Sequence, residues 1–283
     1  MTAETLVKDL DTLVALPQAY VQISRMINSP TCSAIDIGKI IAQDTDLSAR
    51  LLKIVNSAFY GIPVPIDTIS RAVTIVGTSD LHDLVLATSA SRIFKDIPGE
   101  LMDMGEFWGM SVYTGIVAST LAEKCNILHS ERLFVQGMLH DIGRLPIYLR
   151  LPQKARDVLL ITDGNYDLIP AAEQDVLGFT HAEVGALLTR AWNLPESIQT
   201  ITRYHHQPQL APVHQIETSL IHISSILAEC ETLDESVDEI LERVTPFAWQ
   251  STGLTPQDVE SVLDDIPQQA ADILKLMLPA ETG

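Results

Sequence analysis

Gly137-Met-Leu-His-Asp-Ile-Gly-Arg144 sets a His-Asp pair into an otherwise apolar helical pattern. At about 100° per residue, Gly137, His140, Asp141 and Arg144 share one stripe, while Leu133, Phe134, Met138, Leu139, Ile142 and Leu145 cover most of the rest, as on one buried helix. A polar stripe on a buried helix needs a reason. Imidazole and carboxylate on adjacent positions can share a divalent metal. Equally, Asp141 and Arg144 at i, i+3 can pair beside a hydrogen-bonded core histidine. These residues alone leave both readings open.

Two later segments place further histidines inward. Thr180-His-Ala-Glu183 has the capping-box pattern, with Thr180 as N-cap and Glu183 at N3, which puts His181 in line with Val184, Gly185 and Leu188. Pro195 suits a first helical position, and Ile198, Ile201 and His205 then share a face before Pro208 ends the segment. Of the adjacent pair, His205 rather than His206 is expected to face inward. Singly, each is an ordinary core or helix-end histidine; three of them together with an aspartate form a candidate ligand set.

Helical periodicity continues on both sides. Ser33 with Asp36 caps a helix carrying Ile37, Ile40 and Ile41; Asp46 precedes one carrying Leu47, Leu51, Ile54 and Val55. Thr68 opens a third, with Ala72, Val73 and Val76 stopping at Gly77, and Leu81, Leu84, Val85 and Thr88 outline a fourth. Gly61-Ile-Pro-Val-Pro65 is a rigid connector. No alternating strand pattern of useful length occurs, so the fold class is all-α. A composition break at Lys95-Asp-Ile-Pro-Gly99 puts a lobe boundary near residue 98. Beyond about residue 210, Thr255-Pro-Gln-Asp258 starts a helix with Val259, Val262, Leu263 and Ile266 on one face, expected to pack on the second lobe.

Composition excludes several classes. The 283 residues are 46% hydrophobic but 5% aromatic, so a sizeable and mainly aliphatic core can form. A net charge of −19 repels phosphate backbones and anionic lipid, which argues against nucleic acid as a partner. Cys32, Cys125 and Cys230 are far apart and odd in number, fitting reduced thiols and a cytoplasmic location. No apolar run is long enough for membrane insertion, and no secretory h-region opens the chain. P-loop, nucleophilic-serine and dinucleotide motifs are absent.

Four segments together resemble the HDOD domain: Asp44-Thr-Asp-Leu-Ser-Ala-Arg-Leu-Leu-Lys-Ile-Val-Asn-Ser-Ala-Phe-Tyr-Gly61, then Ile69-Ser-Arg-Ala-Val-Thr-Ile-Val-Gly77, then His140-Asp-Ile-Gly143, and finally His181-Ala-Glu-Val-Gly-Ala-Leu-Leu188 with Trp192-Asn-Leu-Pro195 and His205-His206. The resemblance spans roughly residues 10–210, with Thr45 standing where the family often has proline. It implies a bacterial all-α signalling module: an N-terminal helical bundle (1–98) packed against a lobe related to the HD and HD-GYP phosphohydrolases (99–230), here followed by a C-terminal helical extension (231–283).

The resemblance also implies a metal set, from which this chain departs. In the catalytic relatives one ion is held by a histidine on the preceding helix, the His-Asp pair and a later aspartate; the first falls at Met110 and the last near Ser225. If four ligands contribute about 10–16 kcal/mol, losing two costs about 5–8, on the order of 10⁴–10⁶ in affinity. His140, Asp141, His181, His205 and His206 remain, corresponding in part to a second-metal half-site, with His222 at i, i+3 to Ser225 able to face the same cavity. Arg144 stands where active relatives often carry lysine, so Asp141 and Arg144 are vestigial catalytic candidates. The expectation is therefore a catalytically degenerate module without a resident cofactor beyond weakly held divalent metal (Mn, Fe, Zn or Mg). It would act on other signalling proteins, of the cyclic-dinucleotide or two-component kind. The alternative is a metal-dependent phosphohydrolase or phosphodiesterase.

Overall fold

Apolar repeats at helical spacing become helices throughout the computed structural model, which describes residues 1–11, 18–27, 32–94, 97–229 and 236–278; among these there is no strand. In chain order the helices are α1 (Ala3–Asp11), α2 (Gln18–Met26), α3 (Ala34–Ile41), α4 (Thr45–Val55), α5 (Ile69–Val76), α6 (Thr78–Ile93), α7 (Met104–Lys124), α8 (Arg132–Leu139), α9 (Arg144–Arg150), α10 (Pro152–Thr162), α11 (Ile169–Leu177), α12 (His181–Ala191), α13 (Glu196–Tyr204), α14 (Gln215–Ala228), α15 (Val237–Leu241), α16 (Pro246–Thr252), α17 (Pro256–Glu260) and α18 (Ile266–Met277). The chain divides into two compact units, one of Met1–Val14 with Phe94–Asp264, the other of Ala15–Ile93 with Asp265–Gly283. Lys95, Asp96 and Cys230 lie outside the described residues.

In the smaller unit the caps fall where side-chain chemistry puts them. Ser33 and Asp36 form a reciprocal capping box on α3, and Thr68 caps α5, which stops at Gly77. Helix α4 starts earlier than Asp46: the Asp44 carboxylate accepts from Leu47 N at 2.9 Å and is the N-cap. Asn56 ties down the connector that follows, because its carboxamide accepts from Ile66 N (2.7 Å) and donates to Ile66 O (2.8 Å). The last helix, α18, lays Ile266, Ala270, Ile273 and Met277 inward and packs on α4, and Arg50 of α4 and Ser91 of α6 donate to the Met277 carbonyl at 3.3 and 3.4 Å. The face drawn from Val259 to Ile266 is thus split, since α17 ends at Glu260 and α18 belongs with this unit.

Helix α7 is the axis of the larger unit: it is buried along most of its length and packs against α8 and α14. Helix α1 joins this unit rather than its sequence neighbours, burying Leu6, Val7 and Leu10 while packing on α9 and α12. The helix expected to run unbroken through His140 does not. It ends at Leu139, turns, and restarts at Arg144, with bonds from Arg144 N to Asp141 O (3.0 Å) and Leu145 N to Ile142 O (3.3 Å) replacing the i→i−4 ladder. Pro146 is the cause, since it has no N–H for the Ile142 carbonyl and its ring would crowd that carbonyl in a continuous helix. The turn also allows a close approach: a Cβ on Gly143 would lie 2.0 Å from His181 O and 2.4 Å from Gly185 N, both backbone atoms of α12.

Candidate metal centre

The interruption at 140–143 delivers Asp141 to the start of α12 and the end of α13. On α12, the Thr180–Glu183 capping box forms as the sequence predicts, and His181 is the first helical residue, almost fully buried. Pro195 is the N-cap of α13 rather than its first turn, and His205 ends that helix, buried below Ile198 and Ile201. His206 is more exposed than His205. One donor atom from each of Asp141, His181, His205 and His206 lies within 4.8 Å of the others.

Hydrogen bonds on the far side of each ring decide what faces this point. His181 Nδ1 donates to Glu173 (2.7 Å) and His205 Nδ1 to the Thr202 carbonyl (3.0 Å), so Nε2 of each is turned inward. His181 Nε2 lies 2.8 Å from His206 Nε2, a spacing at which only one of the two carries a hydrogen. Asp141 Oδ1 stands 3.2 Å from His181 Nε2 and 3.3 Å from His205 Nε2, yet neither pair has hydrogen-bond geometry. Asp141 Oδ1 and His205 Nε2 are consequently both buried without a hydrogen-bond partner. Two orphaned atoms of complementary ligand type, aimed at one point, fit a cation; imidazole nitrogens with one carboxylate suit a first-row transition metal better than magnesium.

His140 takes a different part. Its Nδ1 donates to the Gly137 carbonyl at 2.6 Å, its Nε2 is 3.9 Å from Asp141 Oδ1, and it packs edge-on to His205. Arg144 realises the ion-pair reading at the same time, with Nη1 3.3 Å from Asp141 Oδ2, Nη2 donating to Tyr148 Oη (3.4 Å), and the guanidinium near the Tyr166 ring. Metal ligation and the Asp141–Arg144 pair therefore use different oxygens of one carboxylate.

The electrostatics follow from burial and neighbours. Burial pushes the His140 imidazole down to about 4. Burial opposes ionisation of Asp141, but the adjacent His140 and His181 outweigh it and hold the carboxyl well below its ordinary value. For His181 burial is likewise outweighed, by the carboxylates of Glu173 and Asp141, which lift it to about 10. Without a metal, His181 thus carries a proton between two carboxylates, a position that a cation would take over.

Met110 on α7 and Ser225 on α14 line the same cavity of about 620 Å³, together with Arg144, Tyr166, Arg203 and Arg243. His222 does not turn toward the ligand cluster: Nδ1 donates to the His205 carbonyl (2.8 Å) and Nε2 accepts from Thr245 N (3.2 Å), so both nitrogens are engaged. Glu173 was not singled out from the sequence. The signal was present, because Ile169, Ala172, Glu173 and Leu177 fall at i, i+3, i+4 and i+8 and place a carboxylate on the buried stripe of α11.

Comparison with known proteins agrees with this architecture. A relative from Treponema pallidum (strain Nichols), uncharacterised, is 30% identical over 215 residues, 74% of this chain; the chain spans about two fifths of its length. Among solved structures, an HDOD domain protein of unknown function from Geobacter sulfurreducens superposes with a TM-score of 0.76 at 22% identity, covering 98% of both chains. A protein from Shewanella amazonensis SB2B, proposed to be a phosphohydrolase, gives 0.76 at 23% identity over 96% of this chain and 98% of that one. A protein from Marinobacter aquaeolei VT8, proposed to act in signal transduction, gives 0.68 at 20% over 93% and 59%. At these identities the likeness is one of fold. Residues 13–208, the greater part of the sequence, match the HDOD domain, and the chain belongs to that family.

Proposed function

We propose that this chain is a cytoplasmic signalling module that holds one divalent transition-metal ion at Asp141, His181, His205 and His206 and acts on partner signalling proteins without turning over a substrate. The observation that carries the metal is the convergence of one carboxylate oxygen and three imidazole nitrogens within 4.8 Å, two of them buried and unpaired. A bound ion would supply Lewis acidity and a cross-link among the 140–143 turn, α12 and α13. The same reading makes metal occupancy stiffer than a tally of lost ligands implies, since four donors are already gathered.

Against turnover stand Met110 and Ser225, which line the cavity but bring a thioether and a hydroxyl where a second ion needs imidazole and carboxylate. In-line displacement of a phosphodiester is best served by two ions about 4 Å apart and a free cationic clamp. Arg144 is committed to Asp141 and Tyr148. A metal-dependent phosphohydrolase is the second reading, favoured by the size of the cavity beside the ligands, which is in the range that holds small molecules.

The test joins elemental analysis with activity. The purified protein should carry up to one transition-metal ion per chain, gain thermal stability on adding Zn²⁺ or Mn²⁺, lose that gain in His205→Ala, and hydrolyse neither a generic phosphodiester nor a cyclic dinucleotide above background. Turnover that vanishes both with a chelator and in Asp141→Ala replaces this reading with the enzyme.

A further inference from the structure

Glu173 is a buried carboxylate with about 1% of its surface exposed, and its ion-pair partner is the His181 imidazole at 2.7 Å. One oxygen, Oε2, accepts twice from a single residue: from His181 N and from His181 Nδ1, each at 2.7 Å. The first bond satisfies an amide that, as the first of α12, has no acceptor within its own helix. The second fixes both the rotation of the imidazole and the nitrogen that keeps its hydrogen. Together they close a ring through Glu173 and His181 that leaves His181 Nε2 no direction but toward Asp141 and His206.

We infer that Glu173 is the positioning residue of the metal centre: its carboxylate holds His181 in the ligating tautomer and raises the electron density of the nitrogen that meets the ion. This rests on the metal reading above and extends it to a residue on a different helix, α11, with no donor atom of its own in the cluster. His205 shows the contrast. Its Nδ1 donates to a neutral backbone carbonyl, so of these two ligands it is His181 that is backed by a charged acceptor. A carboxylate behind a ligating imidazole is worth about 10–100-fold in metal affinity.

Glu173→Gln is the informative substitution, because its amide oxygen can still accept one bond and keep the helix start intact while the charge is lost. Zn²⁺ affinity of the full chain, measured by competition with a chromophoric chelator, should fall about 10–100-fold, and the visible absorption of the Co²⁺ form should change. Asp175→Asn, which removes the same charge from the exposed side of the same helix, should leave both unchanged. Independently of any variant, long-range ¹H–¹⁵N spectra of the Zn²⁺-loaded wild type should show His181 hydrogen on Nδ1 only. Unchanged Zn²⁺ affinity in Glu173→Gln, or a hydrogen on Nε2 in the loaded protein, overturns this inference alone. A wild-type chain that takes up no metal overturns the metal reading as well.

Discussion

Gly143→Ala sets two physical effects against each other, and the structure says which wins. The backbone at Gly143 has φ −69° and ψ −15°, a right-handed conformation that alanine adopts freely. On conformational grounds alone the substitution should stabilise the fold by roughly 0.5–1 kcal/mol, because alanine loses less entropy on folding. The new methyl would, however, stand 2.0 Å from His181 O, 2.4 Å from Gly185 N and 2.8 Å from Gly185 Cα. No side chain can swing aside, so the turn and α12 must part by about 1.4 Å to regain ordinary contact near 3.4 Å. Overpacking of this kind costs about 1–3 kcal/mol, and backbone on the opposing side puts it at the upper end. The net expectation is a loss of about 2 kcal/mol, or roughly 4–8 °C in melting temperature for a unit of this size. Urea and thermal unfolding followed by circular dichroism measure it, with Gly99→Ala as control, since nothing lies within 4 Å of a Cβ there. The separation also pulls Asp141 from His181, now 3.2 Å apart, so Zn²⁺ should stabilise the variant less than wild type. A Gly143→Ala protein as stable as wild type, or more so, refutes the direct backbone contact between the motif turn and α12.

Two further outcomes follow from the same geometry. In metal-free protein Asp141→Ala strips buried Arg144 of its acidic partner and should cost about 1–3 kcal/mol in urea unfolding; a neutral result would mean that Tyr148 and Tyr166 suffice for the guanidinium. His222 supplies a pH dependence. Only a neutral ring can both donate to His205 O and accept from Thr245 N, and burial lowers its pKa from 6.5 to about 4. The unfolded chain then binds this proton below about pH 6.5 and the folded chain does not until about pH 4, so stability falls as pH drops through that window, by about 3 kcal/mol in all. Subtracting the profile of His222→Asn, measured by urea titration at each pH, should isolate that slope; a pH-independent difference between the two proteins refutes it.

Much of this was legible in the chain because it depends on neighbours within one helical turn. Capping at Ser33, Thr68 and Thr180 is a contact between residues three apart, and the stop at Gly77 follows from residue type and spacing, whereas α13, drawn on to Pro208, already ends at Tyr204 with His205 as its C-cap. The inward stripes carrying His181 and His205 are likewise properties of 3.6-residue periodicity, which survives whatever the helix packs against. Pro146, which breaks the helix after Leu139, was readable in principle, but the strength of the apolar repeat across 133–145 masked it.

What sequence could not decide depended on which elements meet. Local pattern assigns α1 and α18 to their chain neighbours, yet each buries its stripe in the unit that offers a complementary face. The same holds for the centre. His140 and Asp141 are adjacent in the chain, but only Asp141 joins the four-donor cluster, while His140 Nε2 stands 3.9 Å from Asp141 Oδ1 at the edge of the same cavity. His222 lines the cavity as its spacing from Ser225 suggests, but both its ring nitrogens are tied to backbone groups of other elements, so it stays outside the donor cluster. Residue types and periodicity thus determined that this chain is helical and that histidines and an aspartate point inward. Which of them share one point, and that a carboxylate on α11 stands behind His181, was decided by tertiary packing, since hydrogen bonds between separate helices leave no period in the sequence.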